Sequence, residues 1–341
     1  MRKFGLSVAI LSALLVAGHA FGALNLGAEQ LVQAGGVDIA VPGYSVPSFV
    51  NWNNDGLPDL VVGEGGGSVT GKVRVYLNAG TAGHPQFSTP LYAQSGLGDL
   101  TVPPSGCLGA FPRLVDWGST AQKNLLIGQA DGKVKFFLNT GSISAPAFDA
   151  GTFVQVGQPG SKTDIDVGDR ATPTIVDWNA DGVNDLVVGG LDGKIHVFAN
   201  VGTDAAPDFR VQTLAQANSA DLVVPMVRSS PVIMDLDGDG KKDILTGDTE
   251  GQLLLYSNTG TNQAPSFSGY TAITADGVAI NLPGTLRSRP FVCDWTGDGL
   301  LDVLIGYGDT NGGKVHLYQG VPEPASLSLL ALGGLALLRR R

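Results

Sequence analysis

The residues with the clearest chemistry are carboxylates spaced at alternate positions. Residues 235–243 read DLDGDGKKD, which sets Asp235, Asp237, Asp239 and Asp243 in a D-x-D-x-D-G-x-x-D pattern. Acidic side chains at alternate positions fold inward around a glycine that accepts a positive φ. Four carboxylates and one carbonyl then form the oxygen-rich, flexible shell that Ca2+ prefers. Asp177, Asn179, Asp181 and Asp185 repeat the pattern, as do Asp294, Thr296, Asp298 and Asp302, while Asn51, Asn53, Asp55 and Asp59 form the least acidic copy. A fifth copy, residues 116–124 (DWGSTAQKN), lacks two carboxylates and the glycine and sets Lys123 beside the loop, so no ion is expected there. An EF-hand needs Glu at position 12 and helices on both sides. Position 12 is Thr246 in one loop and Val188 in another. The plainer alternative is an Asx-rich hairpin that needs no metal, because Asp, Asn and Gly are ordinary turn formers. Four near-matches at one repeat position favour the cation.

The elements that hold these loops form an internal repeat. Each loop follows a related segment: residues 47–52 (PSFVNW), 112–117 (PRLVDW), 173–178 (PTIVDW), 231–236 (PVIMDL) and 290–295 (PFVCDW), with prolines 65, 61, 58 and 59 residues apart. An apolar run ending in glycine comes next, such as residues 59–63 (DLVVG) or 302–306 (DVLIG), then a turn and an alternating run such as residues 193–200 (GKIHVFAN). Alternation at period 2 marks a strand with one wetter face. Four units share Asn-x-Gly and then Pro-x-Phe (Asn78/Phe87, Asn139/Phe148, Asn200/Phe209, Asn258/Phe267), which is expected to start an outer strand. A repeat of about 60 residues holding four strands is one blade of a β-propeller. The fifth unit stops at Gly320 after its third strand, and residues 24–45 look like a linker without a core before it. The expectation is an all-β, five-bladed β-propeller over residues 24–320. Its N-terminal segment would complete the last blade and hide the sheet edges.

Composition supports a folded, turn-rich, acidic body. Of 341 residues 43% are hydrophobic and 15% charged, and the 49 glycines are about twice the usual share. The net charge is -10 and basic clusters lie only at the two ends, which excludes a nucleic-acid-binding face. Residues 1–20 begin with Arg2 and Lys3, continue through an apolar run and finish with Gly18 and Ala20, as a signal peptide does. Residues 321–341 hold Pro322-Glu323-Pro324, a short apolar run and three arginines. This tail closely resembles the PEP-CTERM sorting signal of Gram-negative bacteria. The resemblance implies processing by exosortase-type sorting machinery and a place in the cell envelope, at the cell surface or in the extracellular matrix. The repeats resemble the FG-GAP and VCBS families, whose integrin-type members are β-propellers with calcium loops, although those heads have seven blades.

A second group of residues suggests a ligand. Arg170, Arg228 and Arg287 each stand three residues before a strand-opening proline, while Asp248, Tyr307, Glu64 and Gln129 follow the second-strand glycine at what should be the same end. Guanidinium groups there either brace backbone carbonyls or form a ring for a carboxylate or acidic sugar. A ligand is expected to contact Arg170, Arg228, Arg287, Asp248 and Tyr307. Trp52, Trp117, Trp178 and Trp295 share one repeat position with Leu236, which reads as packing between blades. His196 and His316 align with Arg74, Lys135 and Leu254, a pattern read as a permissive surface. Cys107 and Cys293 could pair in an exported chain, but they occupy different repeat positions. No Ser/His/Asp triad or zinc set can be assembled. The favoured function is a non-catalytic surface or matrix module that binds polysaccharide or protein. The alternative is a glycosidase or lyase on a calcium-stabilised propeller, and a glycosidase needs two metal-free carboxylates about 5–10 Å apart.

Overall fold

Each apolar run between a loop and its glycine becomes a strand buried on both faces. These second strands are Asp59–Gly66, Asn124–Gly128, Asp185–Gly189, Asp243–Gly247 and Asp302–Gly306, filled with Val, Leu and Ile. Each pairs antiparallel with a first strand: Val46–Val50, Phe111–Val115, Thr172–Val176, Ser230–Met234 and Arg289–Cys293. The register is the same five times. Val50, Val115, Val176, Met234 and Cys293 face Asp59, Asn124, Asp185, Asp243 and Asp302. Third strands follow at Val69–Tyr76, Val134–Phe137, Ile195–Asn200, Leu253–Tyr256 and Gly313–Gly320. The computed structural model describes residues 24–322 apart from 97, 104–105, 107, 119–121, 283–286 and 309–311. Among them there is no helix, and the chain is all-β.

Outer strands are shorter than the repeat pattern suggested. Leu91–Tyr92, Thr152–Phe153 and Thr271–Ala272 pair with their third strands and begin four residues after the Pro-x-Phe phenylalanine, and only Phe209–Leu214 starts at it. Phe87, Phe148 and Phe267 are instead buried anchors. The third strand of the fifth unit pairs antiparallel with Leu26–Leu31, near the other end of the chain.

The recurring glycine is explained by the next unit. A Cβ on Gly63 would collide with the carbonyl oxygen of Ala110, and one on Gly128, Gly189, Gly247 or Gly306 with that of Ala171, Ser229, Ser288 or Ser45. The fifth collision is with the first unit. The same cyclic order appears in aromatic packing. Trp52 meets Phe148 at 5.7 Å, Trp117 meets Phe209 at 5.5 Å, Trp178 meets Phe267 at 6.2 Å and Trp295 meets Phe87 at 5.8 Å. Leu236, where a tryptophan is missing, is buried in one cluster with Leu26. Leucines from the fourth unit and the N-terminal segment share that cluster, where the other units pair tryptophan with phenylalanine.

One expectation is corrected. His196 and His316 are buried rather than on a permissive surface, because the outer strand covers that face and supplies a partner. Gln212 approaches His196 Nδ1 at 2.7 Å, and Glu29 Oε1 approaches His316 Nδ1 at 2.5 Å. Cys107 lies outside the described residues, while Cys293 is a free thiol whose pKa burial pushes up.

Candidate functional site

The final residue of each acidic motif is a staple within its sheet. Asp243 Oδ2 accepts the Leu236 N–H at 3.0 Å and Oδ1 accepts the Asn258 N–H at 2.8 Å. Asp59 does the same with Trp52 and Asn78, and Asp185 with Trp178 and Asn200. Asp302 accepts from Trp295 and Gly320, both at 2.6 Å. All four carboxylates are buried, and burial pushes their pKa values up while the backbone donors pull them down. In the second unit Asn124 stands at this position, accepting from Asn139 and donating to the Trp117 carbonyl.

The earlier positions shape the loops. Asp235 accepts the N–H groups of Gly238 and Gly240 at 2.8 and 2.9 Å, and Asp177 accepts those of Asp181 and Gly182 at 3.1 and 3.0 Å. Asp294 takes three, from Gly297, Asp298 and Gly299. Carboxylate oxygens of Asp235, Asp237 and Asp239 lie within 4.8 Å of one another. Lys241 reaches Asp239 at 2.7 Å on the exposed side. In the first loop the Asn51 Oδ1 is buried without a hydrogen-bond partner, and in the fifth so is the Thr296 Oγ1. An orphaned buried oxygen is costly unless something donates to it or it binds a cation. These loops therefore fit Ca2+ by donor type and by unmet demand. Asn53 and Asn179 turn their amide Nδ2 to Asp55 and Asp181, at 2.9 and 2.8 Å. In the second loop Lys123 pairs with Asp116 at 3.2 Å, a cation already in place.

The arginines gather at the opposite ends of the second strands. One pocket of about 20 Å3 is lined by Arg170, Arg228, Arg287, Arg289, Asp248 and Ser229, among others. Four of the five expected ligand residues, Arg170, Arg228, Arg287 and Asp248, thus come from three different units to one place. Tyr307 is not among the lining residues; it is buried, with its ring 4.7 Å from His316. Glu64 is also buried and pairs with Arg74. Arg289 was missed in the sequence, although it stands directly before a strand-opening proline. Ser45, Ser229 and Ser288, two residues before their prolines, were missed as well. Ser45 Oγ donates to the Tyr307 carbonyl at 2.9 Å, and Ser229 Oγ donates to that of Lys194 at 2.6 Å, tying each unit to the one before.

Family comparison decides what kind of repeat this is. Residues 235–305 match the FG-GAP-like repeat model, and residues 320–341 match the PEP-CTERM protein-sorting motif. The chain carries an FG-GAP-like repeat and a PEP-CTERM motif. The FG-GAP-like match begins at Asp235, the first residue of the most acidic loop, and runs to the end of the next unit's second strand. A PEP-CTERM motif directs export and surface sorting in bacteria and implies recognition by exosortase machinery. Among curated proteins none matches the chain. A solved structure, described as the crystal structure of BBS1N in complex with ARL6DN, soaked with lead, is 14% identical over 88% of this chain and 74% of that chain. Its TM-score of 0.32 is too low to carry an argument.

Proposed function

We propose that the chain is an exported, calcium-organised β-propeller that acts as a non-catalytic binding module for polysaccharide or protein at the cell surface or in the extracellular matrix of a Gram-negative bacterium. In this reading residues 1–20 are a signal peptide, residues 24–320 form five blades of about 60 residues, and residues 321–341 are the sorting signal. The cyclic order of glycine and tryptophan contacts supports five blades, and the Leu26–Leu31 pairing supports closure by the N-terminal segment. Residues 1–20 and 323–341 lie outside the described residues.

One observation carries the calcium assignment: three carboxylates within 4.8 Å in the fourth loop, with orphaned oxygens at matching loops of the first and fifth units. Asp235, Asp237, Asp239 and Asp243 would hold one ion; Asp177, Asn179, Asp181 and Asp185 a second; Asp294, Thr296, Asp298 and Asp302 a third; and Asn51, Asn53, Asp55 and Asp59 the weakest. Bound Ca2+ would supply the positive charge that lets these carboxylates sit side by side, locking the loops without taking part in a reaction. Calorimetric titration of the chelated protein tests this: about four ions per chain are expected, and no uptake at millimolar calcium would refute it.

A further inference from the structure

The two ends of the described chain meet at one seam. Gly320, where the match to the sorting motif begins, is the last residue of the fifth unit's third strand and stands opposite Leu26 in its pairing with Leu26–Leu31. Val321 donates its N–H to the Asn25 carbonyl at 2.8 Å. The Asn25 side chain answers, its Nδ2 donating to the Val321 carbonyl at 3.0 Å and to the Pro322 carbonyl at 3.4 Å. One step inward, Gln30 Nε2 donates to Gln319 Oε1 at 3.1 Å. The first three residues of the sorting motif are therefore held by the folded body.

Both sides of the seam are tied to the acidic loops. Asp302 Oδ1 accepts the Gly320 N–H at 2.6 Å, while its Oδ2 accepts those of Trp295 and Thr296 in the fifth loop at 2.6 and 3.1 Å. Across the seam, Leu24 donates to the Leu236 carbonyl in the fourth loop at 3.2 Å. Leu26 is only 1% exposed and is buried with Leu236, Leu301 and Tyr318. Gly27 fits its place because a Cβ there would stand 3.1 Å from Val321 Cγ1. Freeing residues 320–322 breaks this set of bonds together. Val321 is 37% exposed, so contact with another protein is not what protects it. A protease cleaves a segment released from its sheet, and a paired segment is cut only during the fraction of time in which it opens.

We propose that Asn25 and strand Leu26–Leu31 form a lock on the root of the sorting tail. The lock withholds Gly320, Val321 and Pro322 from processing, so that removal of the tail is confined to bonds beyond Pro322 and leaves the seam sealed. Removal is a hydrolysis: one C–N bond breaks, and water supplies the hydroxyl of the new carboxyl end and the proton of the leaving amine. This lock depends on neither the calcium assignment nor the binding-module reading. Amide exchange and proteinase K digestion of the full chain, both read by mass spectrometry, test it. The Val321 amide is expected to exchange at least about tenfold more slowly than in an unstructured peptide, and digestion from the C-terminal side to halt at Pro322 or beyond it. Asn25→Ala removes both side-chain bonds and should speed Val321 exchange about three- to tenfold, while the amides of Leu125, Leu126 and Ile127 in the second unit keep the parent rate. Leu26→Asp should let digestion run into Gly313–Gly320; if the second-unit amides show that this variant does not fold, the Asn25→Ala comparison decides. In the bacterium that makes the protein, the sorted chain should end at Pro322 or later and short of Arg341. Val321 exchange at the unstructured rate, or unmoved by Asn25→Ala, overturns the proposal. So does a sorted parent chain that ends before Pro322 or keeps its tail whole.

Discussion

Asn124 Oδ1 accepts the backbone N–H of Asn139 at 2.7 Å, the bond that Asp243 Oδ1 makes with Asn258 at 2.8 Å. An amide can therefore make one of the aspartate's two backbone bonds. Asp243→Asn keeps the Asn258 bond but sets Nδ2 against the Leu236 N–H that Oδ2 accepts, so in chelator it should cost about 1–3 kcal/mol, and it should bind calcium more weakly. Asp243→Ala leaves two buried N–H groups unsatisfied and should cost about 2–6 kcal/mol. Urea denaturation with and without EGTA separates the two variants.

Calcium should raise thermal stability. With Kd near 10⁻⁴ to 10⁻³ M, about a tenfold excess of free ion contributes roughly 1.4 kcal/mol per site. Four independently filled sites would add several kcal/mol. A melting temperature unmoved by thorough chelation contradicts this.

Loops should rank by their carboxylates. Asp239→Ala is expected to cost more calcium affinity than Asp55→Ala, since the fourth loop carries four carboxylates and the first carries two. Site-resolved calorimetry showing the reverse order would count against the ligand sets.

The second-strand glycines should not tolerate a methyl group. Gly247→Ala drives a Cβ into the Ser288 carbonyl and should cost about 1–3 kcal/mol or more. Gly269→Ala, with open space around it, is the matched control and should be near neutral. Equal denaturation midpoints for the two would remove the close-approach account.

Stability should fall as pH drops through the histidine range. Burial holds His316 below its usual value of 6.5, with Glu29 opposing and Lys314 adding to the shift; Tyr307 and Tyr318 also face this cluster. The unfolded chain then takes up a proton before the folded one, so stability is intact above pH 6.5 and is lost progressively from there toward the lower folded pKa. His316→Gln should flatten that slope. Melting curves from pH 7.5 to 5 would show it, and an unchanged slope would assign the effect elsewhere.

Much was legible because repetition filters chance. A single D-x-D-x-D-G loop is an ordinary turn, but five prolines, five glycines and five acidic or amide positions in step fix the strand order and locate the loops. Pattern could not reveal which neighbour makes each residue necessary. Gly247 is required by Ser288, Leu236 by Leu26, and buried His316 by Glu29, pairs separated by 41 to 287 residues.

Local chemistry by itself determined the all-β class, the loops able to hold a cation and the arginines worth watching, because turn formation, strand alternation and ligand type are short-range properties. Only the tertiary structure decided that Asp59, Asp185, Asp243 and Asp302 serve as buried staples, that Tyr307 belongs to the core, and that arginines from separate units meet in one pocket. The physical reason is that burial and charge balance depend on what packs from a distance. A carboxylate or guanidinium acquires its pKa, its partners and its unmet demand only when another unit closes over it.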